Sequence, residues 1–212
     1  MAVRDLPKVE TRVRFSYPAH MQKYSDIIQK AIKEDFEFQK SLEIVKKNSN
    51  GKIWIMGSFV FRNIASAIHN LPKPVFKDYD FVVEELNKNV NIDNNLNTFG
   101  GLKIKNKEVS IDIWELRKTY LITRLNLEPT IENCLKTASL SIQSIAFNLE
   151  ENKILGSVGL RSILEKNISV NNMQNFKYYT ERKGLSLEEY LKNQIKKWGF
   201  EDFIINWDSL KN

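Results

Sequence analysis

Lys77-Asp78-Tyr79-Asp80-Phe81-Val82-Val83 is the stretch on which the reading of this chain turns. Its aromatic and β-branched residues predict a strand from about 79 to 83. Side chains alternate between the two faces of a strand, so Asp78 and Asp80 project together and Tyr79 opposite. Two carboxylates at one sheet edge repel each other unless a cation sits between them. Magnesium takes such hard oxygens, together with water and phosphate oxygens. A solvated turn at a strand start would leave the same letters, so the pair gains meaning only from its surroundings.

Downstream, Val109-Ser110-Ile111-Asp112-Ile113-Trp114 reads as another strand, with Val109, Ile111 and Ile113 on one face and Ser110, Asp112 and Trp114 on the other. A carboxylate amid such a strand needs a partner, because an unpaired buried charge is costly. A metal held by a neighbouring strand would supply one; so would a salt bridge to a Lys or Arg, such as Arg117. Upstream, Ile53-Trp54-Ile55-Met56 reads as a buried strand ended by Gly57-Ser58, and 59–70 as a helix stopped by Pro72 and Pro74. Glycine permits close backbone approach, and a helix start offers free N–H groups to a phosphate.

Further out, 1–18 reads as an extended arm or short strand, 21–48 as helix and the Asn-rich 86–99 as a surface loop. A third strand covers 102–104 after Gly100-Gly101. Thr130 is placed to cap a helix over 130–138. Strands are expected at 140–148 and 152–155, and a short helix at 158–166. Residues 171–185 would join the core to a helix that starts at Ser186-Leu187-Glu188-Glu189 and runs to about Trp198, before Gly199. The fold class expected is α+β: a mixed β-sheet with helices on one face, an N-terminal helical segment and a short helical tail. The expected division is 1–50 for the N-terminal arm and helices, 51–170 for the core and 171–212 for the tail.

The chain has 212 residues, 42% hydrophobic and 27% charged, which suits one globular domain with a small appendage. Its net charge of +6 favours a polyanionic partner such as RNA or a nucleotide. Cys134 is the one cysteine, which excludes an intramolecular disulfide. With only His20 and His69 beside it, a Cys/His metal cluster is excluded as well. No stretch is apolar enough to cross a bilayer and the first residues form no apolar signal region, so the expected compartment is the cytoplasm and no membrane partner is expected. Near the end, Lys177, Arg182, Lys183, Lys192, Lys196 and Lys197 surround Tyr178, Tyr179, Tyr190 and Trp198. Such a mixture can hold single-stranded RNA. The favoured reading is an amphipathic helix with Leu187, Tyr190, Leu191 and Ile195 packed on the core and its lysines in water.

In order, these blocks resemble the head domain of the tRNA nucleotidyltransferase and poly(A) polymerase family, within the DNA polymerase beta-like nucleotidyltransferase superfamily. Met56-Gly57-Ser58-Phe59-Val60-Phe61-Arg62 resembles the family's glycine pair followed by a basic residue. Pro74 to Val83 resembles its Lys-Asp-x-Asp strand, and Ile111 to Arg117 its third-carboxylate strand. The likeness runs over about 52–170. It departs where Ser58 replaces the second glycine and where Arg62 falls one place late. Thr137, Ala138 and Ser139 stand for an Arg-Arg-Asp triplet, Gln143 stands for an Asn, and an Asp is missing near Leu155.

The resemblance implies a nucleotidyltransferase core that moves a nucleoside monophosphate from a nucleoside triphosphate to an acceptor hydroxyl. Two magnesium ions, with manganese an alternative, would be held by Asp78, Asp80 and Asp112. Gly57 and Ser58 would grip the triphosphate, with Arg62, Lys77 and Arg117 neutralising phosphate charge. RNA is the favoured acceptor. A protein or small-molecule acceptor, of the toxin, defence or antibiotic-modifying kind, stays open. So does a binding protein that regulates without turnover.

Overall fold

The computed structural model describes residues 17–87, 101–105 and 109–210. The arm expected over 1–18 falls outside them except for Tyr17 and Pro18, which open α1 instead, and nearly all of the 86–99 loop falls outside them too. In chain order the elements are α1 (Tyr17–Glu34), α2 (Phe36–Asn48), β1 (Ser49–Met56), α3 (Ser58–His69), β2 (Asp78–Leu86), β3 (Leu102–Lys105) and β4 (Ser110–Glu115). Then come α4 (Tyr120–Arg124), α5 (Ile131–Lys136), β5 (Ala146–Asn148), β6 (Lys153–Leu155), α6 (Ser157–Leu164), β7 (Asn167–Ile168), α7 (Met173–Lys183), α8 (Leu187–Trp198) and β8 (Ile204–Ile205).

Six strands form one mixed sheet in the order β3-β4-β2-β1-β5-β6. Only the β2–β4 pair is parallel; β1–β2, β1–β5, β3–β4 and β5–β6 are antiparallel. The main helical layer covers one face. Ile28 of α1, Phe38 and Val45 of α2 and Phe59, Val60 and Ile64 of α3 pack on Ile53, Ile55, Tyr79, Phe81, Ile111 and Ile113. On the other face, Trp54, Val82 and Ala146 form a smaller cluster with Ile122 of α4 and Ile131, Cys134 and Leu135 of α5. Cys134 is buried, as a small apolar helix residue should be.

Three segments differ from the expectation. Residues 21–48 form two helices rather than one, because the Asp35 carboxylate accepts a hydrogen bond from the Phe38 N–H at 2.9 Å and caps α2. An Asp that bonds the nearby backbone starts a helix more readily than it continues one. In 140–148 the strand is confined to β5. The Gln143 side chain takes the Leu140 N–H, and the Ser144 hydroxyl donates to the Leu135 carbonyl, so Ser141–Gln143 make a tight turn instead. The supposed connector 171–185 contains a full helix, α7, capped by Asn172 and ended by Gly184 at φ 61°. Its apolar side is thin, with Phe176 and Thr180 buried, which hid its period.

Candidate active site

The carboxylates gather because β2 and β4 run parallel and in register. Asp80 lies opposite Asp112, and Asp78 opposite Ser110. Register partners on neighbouring strands face the same side, so these four residues share the sheet face away from the main helical layer. Tyr79, Phe81, Ile111 and Ile113 point into that layer and are nearly or fully buried. The alternation read from the sequence therefore fixes the geometry of the acids.

Three features mark this cluster as electrostatically tense. Burial, then the charges of Asp78 and of Asp112, push the Asp80 carboxyl up to about 7. Asp112 is buried, and Lys103 of β3 lies 3.3 Å from its Oδ2. Lys103 is thus a cationic partner of Asp112 that the sequence reading passed over in favour of Arg117. The Ser110 hydroxyl is buried across from Asp78 with no hydrogen-bond partner among the described residues.

Gly57 sits at the N-cap of α3 with φ 65° and ψ −143°, a conformation that suits glycine. A Cβ at this position would stand 2.8 Å from Asp80 Oδ2. The start of α3 therefore comes up against the acids with bare backbone, which leaves its first N–H groups for a ligand. Ser58 is the first residue of α3 and is partly exposed. Arg62, one turn on, is half-buried and lies within the field of Asp78. Its Nη1 donates to the Val75 carbonyl at 3.2 Å, and its guanidinium sits 5.3 Å from the Phe76 ring centroid.

Lys77 and Arg117 are exposed. Arg117 lies on the turn after β4, and it is Lys118, 2.8 Å from Glu115 Oε2, that forms the local ion pair there. His69 packs its ring edge-on to Phe203 and bonds the Ile163 carbonyl at 2.8 Å.

Beside Asp80 opens a cavity of about 200 Å³. Met56, Gly57, Val82 and Trp114 form its sheet side, and Thr137, Ala138, Ser139 and Gln143 another. Thr137, Ala138, Ser139 and Gln143, four of the positions where the sequence departs from the motif pattern, thus meet at one place, whereas Ser58, Arg62 and Leu155 do not line it. The remaining wall is Asn175 and Tyr179 of α7 and Tyr190 of α8, which the sequence reading assigned to a connector and a tail. Tyr179 lines the same cavity as Asp80, and burial, then Tyr190, then Asp80 and Asp112 raise its phenol well above its ordinary range. Nothing in the local sequence of α7 announces this; the Tyr178-Tyr179 pair, with Tyr190 further on, was the available signal.

The donor set fits a hard divalent cation: three carboxylates on adjacent strands, one of them pushed up to about 7 by burial and then by the other two, beside a hydroxyl with no hydrogen-bond partner among the described residues. As the side chains stand, no group of three or more His, Cys, Asp or Glu among the described residues closes into a metal cage. An open arrangement accords with magnesium, which uses one or two carboxylates and completes its shell with water and substrate phosphate.

No protein-family model matches the chain, and no curated protein matches it either. Among solved structures it is similar to the Bacillus stearothermophilus CCA-adding enzyme in complex with CTP, at 16% identity and TM-score 0.48, over 89% of this chain and 41% of that one. A second CCA-adding enzyme with CTP aligns at 18% identity and TM-score 0.47, covering 72% and 38%. The Thermotoga maritima CCA-adding enzyme complexed with tRNA aligns at 21% identity and TM-score 0.39, covering 59% and 30%. The chain spans less than half the length of these proteins.

Proposed function

We propose that the chain is a metal-dependent nucleotidyltransferase that moves a nucleoside monophosphate from a nucleoside triphosphate to an acceptor hydroxyl, with RNA as the acceptor. The observation that carries this reading is the in-register pairing of Asp80 with Asp112, with Asp78 on the same face and Gly57 against Asp80. Like charges gathered so closely destabilise a fold unless a ligand uses them.

In this reading Asp78, Asp80 and Asp112 hold divalent ions, magnesium by preference. Bound there, the ions would lower the pKa of the acceptor hydroxyl and take up charge on the departing pyrophosphate. The N–H groups at the start of α3, with the Ser58 hydroxyl, hold the triphosphate. Arg62, Lys77 and Arg117 offset its charge. The cavity takes the nucleoside, whose base meets Trp114, Tyr179 and Tyr190 and the uncharged polar groups of Ser139, Gln143 and Asn175. The acceptor hydroxyl gives up its proton to solvent, its oxygen attacks the α-phosphorus as the bond to the bridging oxygen breaks, and pyrophosphate leaves.

RNA is supported by the net charge of +6. One observation favours a second acceptor class: α7 and α8 wall the cavity, and its volume would also accept a small molecule. Purified protein is incubated with each α-labelled triphosphate, magnesium and cellular RNA, beside Asp80→Asn protein. Label that enters RNA with wild type alone supports the proposal. Label in protein or in a small product moves the acceptor to that class. Equal transfer by Asp80→Asn protein would place the chemistry elsewhere.

A further inference from the structure

A second recess shares no lining residue with the cavity beside Asp80. It is a groove of about 230 Å³ between α3 and the end of α8, and Arg62, Lys73, Lys196 and Lys197 line it with Ser66 and Pro72. Among the described residues no acidic side chain lines it. Lys73 is 2.9 Å from Glu34 Oε2, whereas Lys196 and Lys197 are exposed and take part in no ion pair among the described residues. Arg62 Nε is buried and unpartnered. The cavity beside Asp80 has the opposite character: among the described residues that line it, Asp80 alone is charged.

We propose, on the basis of the transferase reading above, that this groove is a phosphate-backbone site that holds the RNA acceptor strand on its way to the carboxylates. The groove adjoins the acids: Arg62 stands one turn into α3, the helix whose first residues abut Asp80 at Gly57, and it lies in the field of Asp78, as Asp80 lies in that of Lys197. A strand whose terminal hydroxyl reaches Asp112 therefore sets its next phosphates against cations. The nucleoside triphosphate is a poorer occupant. Its grip is the start of α3 at Gly57-Ser58, with Arg62 within its reach at the near end of the groove, while Ser66 lies eight residues beyond Ser58, about 12 Å further along the helix. A polymer spans that distance and goes on to Lys73 and Lys196.

The groove reads charge rather than bases. Trp198 and Phe200 are buried and face Phe61, with ring centroids 4.9 and 6.0 Å away, so neither ring is offered for stacking. Binding should accordingly be indifferent to sequence and steeply dependent on salt.

The test is the affinity of the full chain for a labelled single-stranded RNA, measured across a salt series without turnover. Neutralising Lys73 and Lys196 together (Lys73→Gln/Lys196→Gln) should lower the slope of log K against log salt by about 1.4, at about 0.7 per lost phosphate contact on a single strand. Lys73→Arg/Lys196→Arg protein, which keeps the charge, should retain the wild-type slope. Binding of a non-hydrolysable triphosphate should be the same in all three proteins. An unchanged slope in the Gln protein overturns the proposal. So does a parallel loss of triphosphate binding, which would make the groove a nucleotide site. Because RNA binding is read without catalysis, absence of transfer in the labelling assay would defeat the transferase reading and leave this result to stand or fall by itself.

Discussion

The two faces of β2 differ in nearly every property. On one, Tyr79 and Phe81 enter an aromatic cluster in which Phe38 lies 5.3 Å from the Tyr79 ring and 5.4 Å from the Phe81 ring, and 4.4 Å from Phe59. On the other, Asp78 and Asp80 stand beside Asp112 with mutual repulsion to overcome. The difference teaches a division of labour along one strand. Alternate residues bury apolar surface and fix the backbone, which lets their neighbours be held where free side chains would move apart. The faces should therefore respond to mutation in opposite ways. Phe81→Ala should cost about 3–5 kcal/mol of stability, as a fully buried ring does, measured by urea unfolding. Asp80→Ala should leave the unfolding midpoint close to wild type or raise it, and should lower transfer by roughly a hundredfold to a thousandfold. A large loss of stability in the Asp80 variant would break the comparison.

A smaller effect tests how the apolar face is anchored. The Tyr79 hydroxyl donates to both carboxylate oxygens of Asp35 at 2.9 Å, and Asp35 caps α2. The underside of the carboxylate strand is thereby tied to the helix layer by one charge-assisted contact. Tyr79→Phe should cost about 1.5–3 kcal/mol. Combined with Asp35→Asn the two losses should fall short of additive, because they remove the same interaction. Additive losses would mean that the Tyr79 hydroxyl contributes independently of the Asp35 carboxylate.

Legibility in the sequence followed the same division. The acid strands could be read because a two-residue period on a parallel pair specifies which side chains share a face: Asp78, Asp80, Asp112 and Ser110 needed only alternation and register. Gly57-Ser58 was legible because a glycine between a buried strand and a helix has few structural uses. The wall made by Asn175, Tyr179 and Tyr190 was not. These residues come from helices far along the chain, and their approach to Asp80 is set by tertiary packing such as Trp198 on Phe61, which no local period encodes. Lys103 was missed for a related reason. It meets Asp112 only because β3 pairs antiparallel with β4, with Lys103 opposite Asp112. The break at Asp35 was within reach, since an Asp between two apolar stripes is a helix-start signal, but the continuity of the stripes outweighed it.

The smallest expected effect concerns what the acid face does without metal. Burial, then Asp78, then Asp112, raise the Asp80 carboxyl from its ordinary 3.8 to about 7. The folded protein therefore holds this proton more tightly than the unfolded chain. The stability so gained is fully present below the unfolded value near 4 and is lost as the pH rises through about 7. In chelator, the melting temperature should rise as the pH is lowered from 8 to 6, and Asp80→Asn protein should lack that part of the rise. Magnesium added at pH 8 should have the same sign as the proton, since either relieves the repulsion among the acids, and it should stabilise wild type by a few degrees, on the order of 1 kcal/mol for a chain of this size. In Asp80→Asn protein the magnesium increment should shrink. A wild-type melting temperature indifferent to both the proton and magnesium would mean that the acids are already satisfied within the protein, with Lys103 as counter-charge enough. The acid face would then be as much a structural feature as the aromatic one behind it.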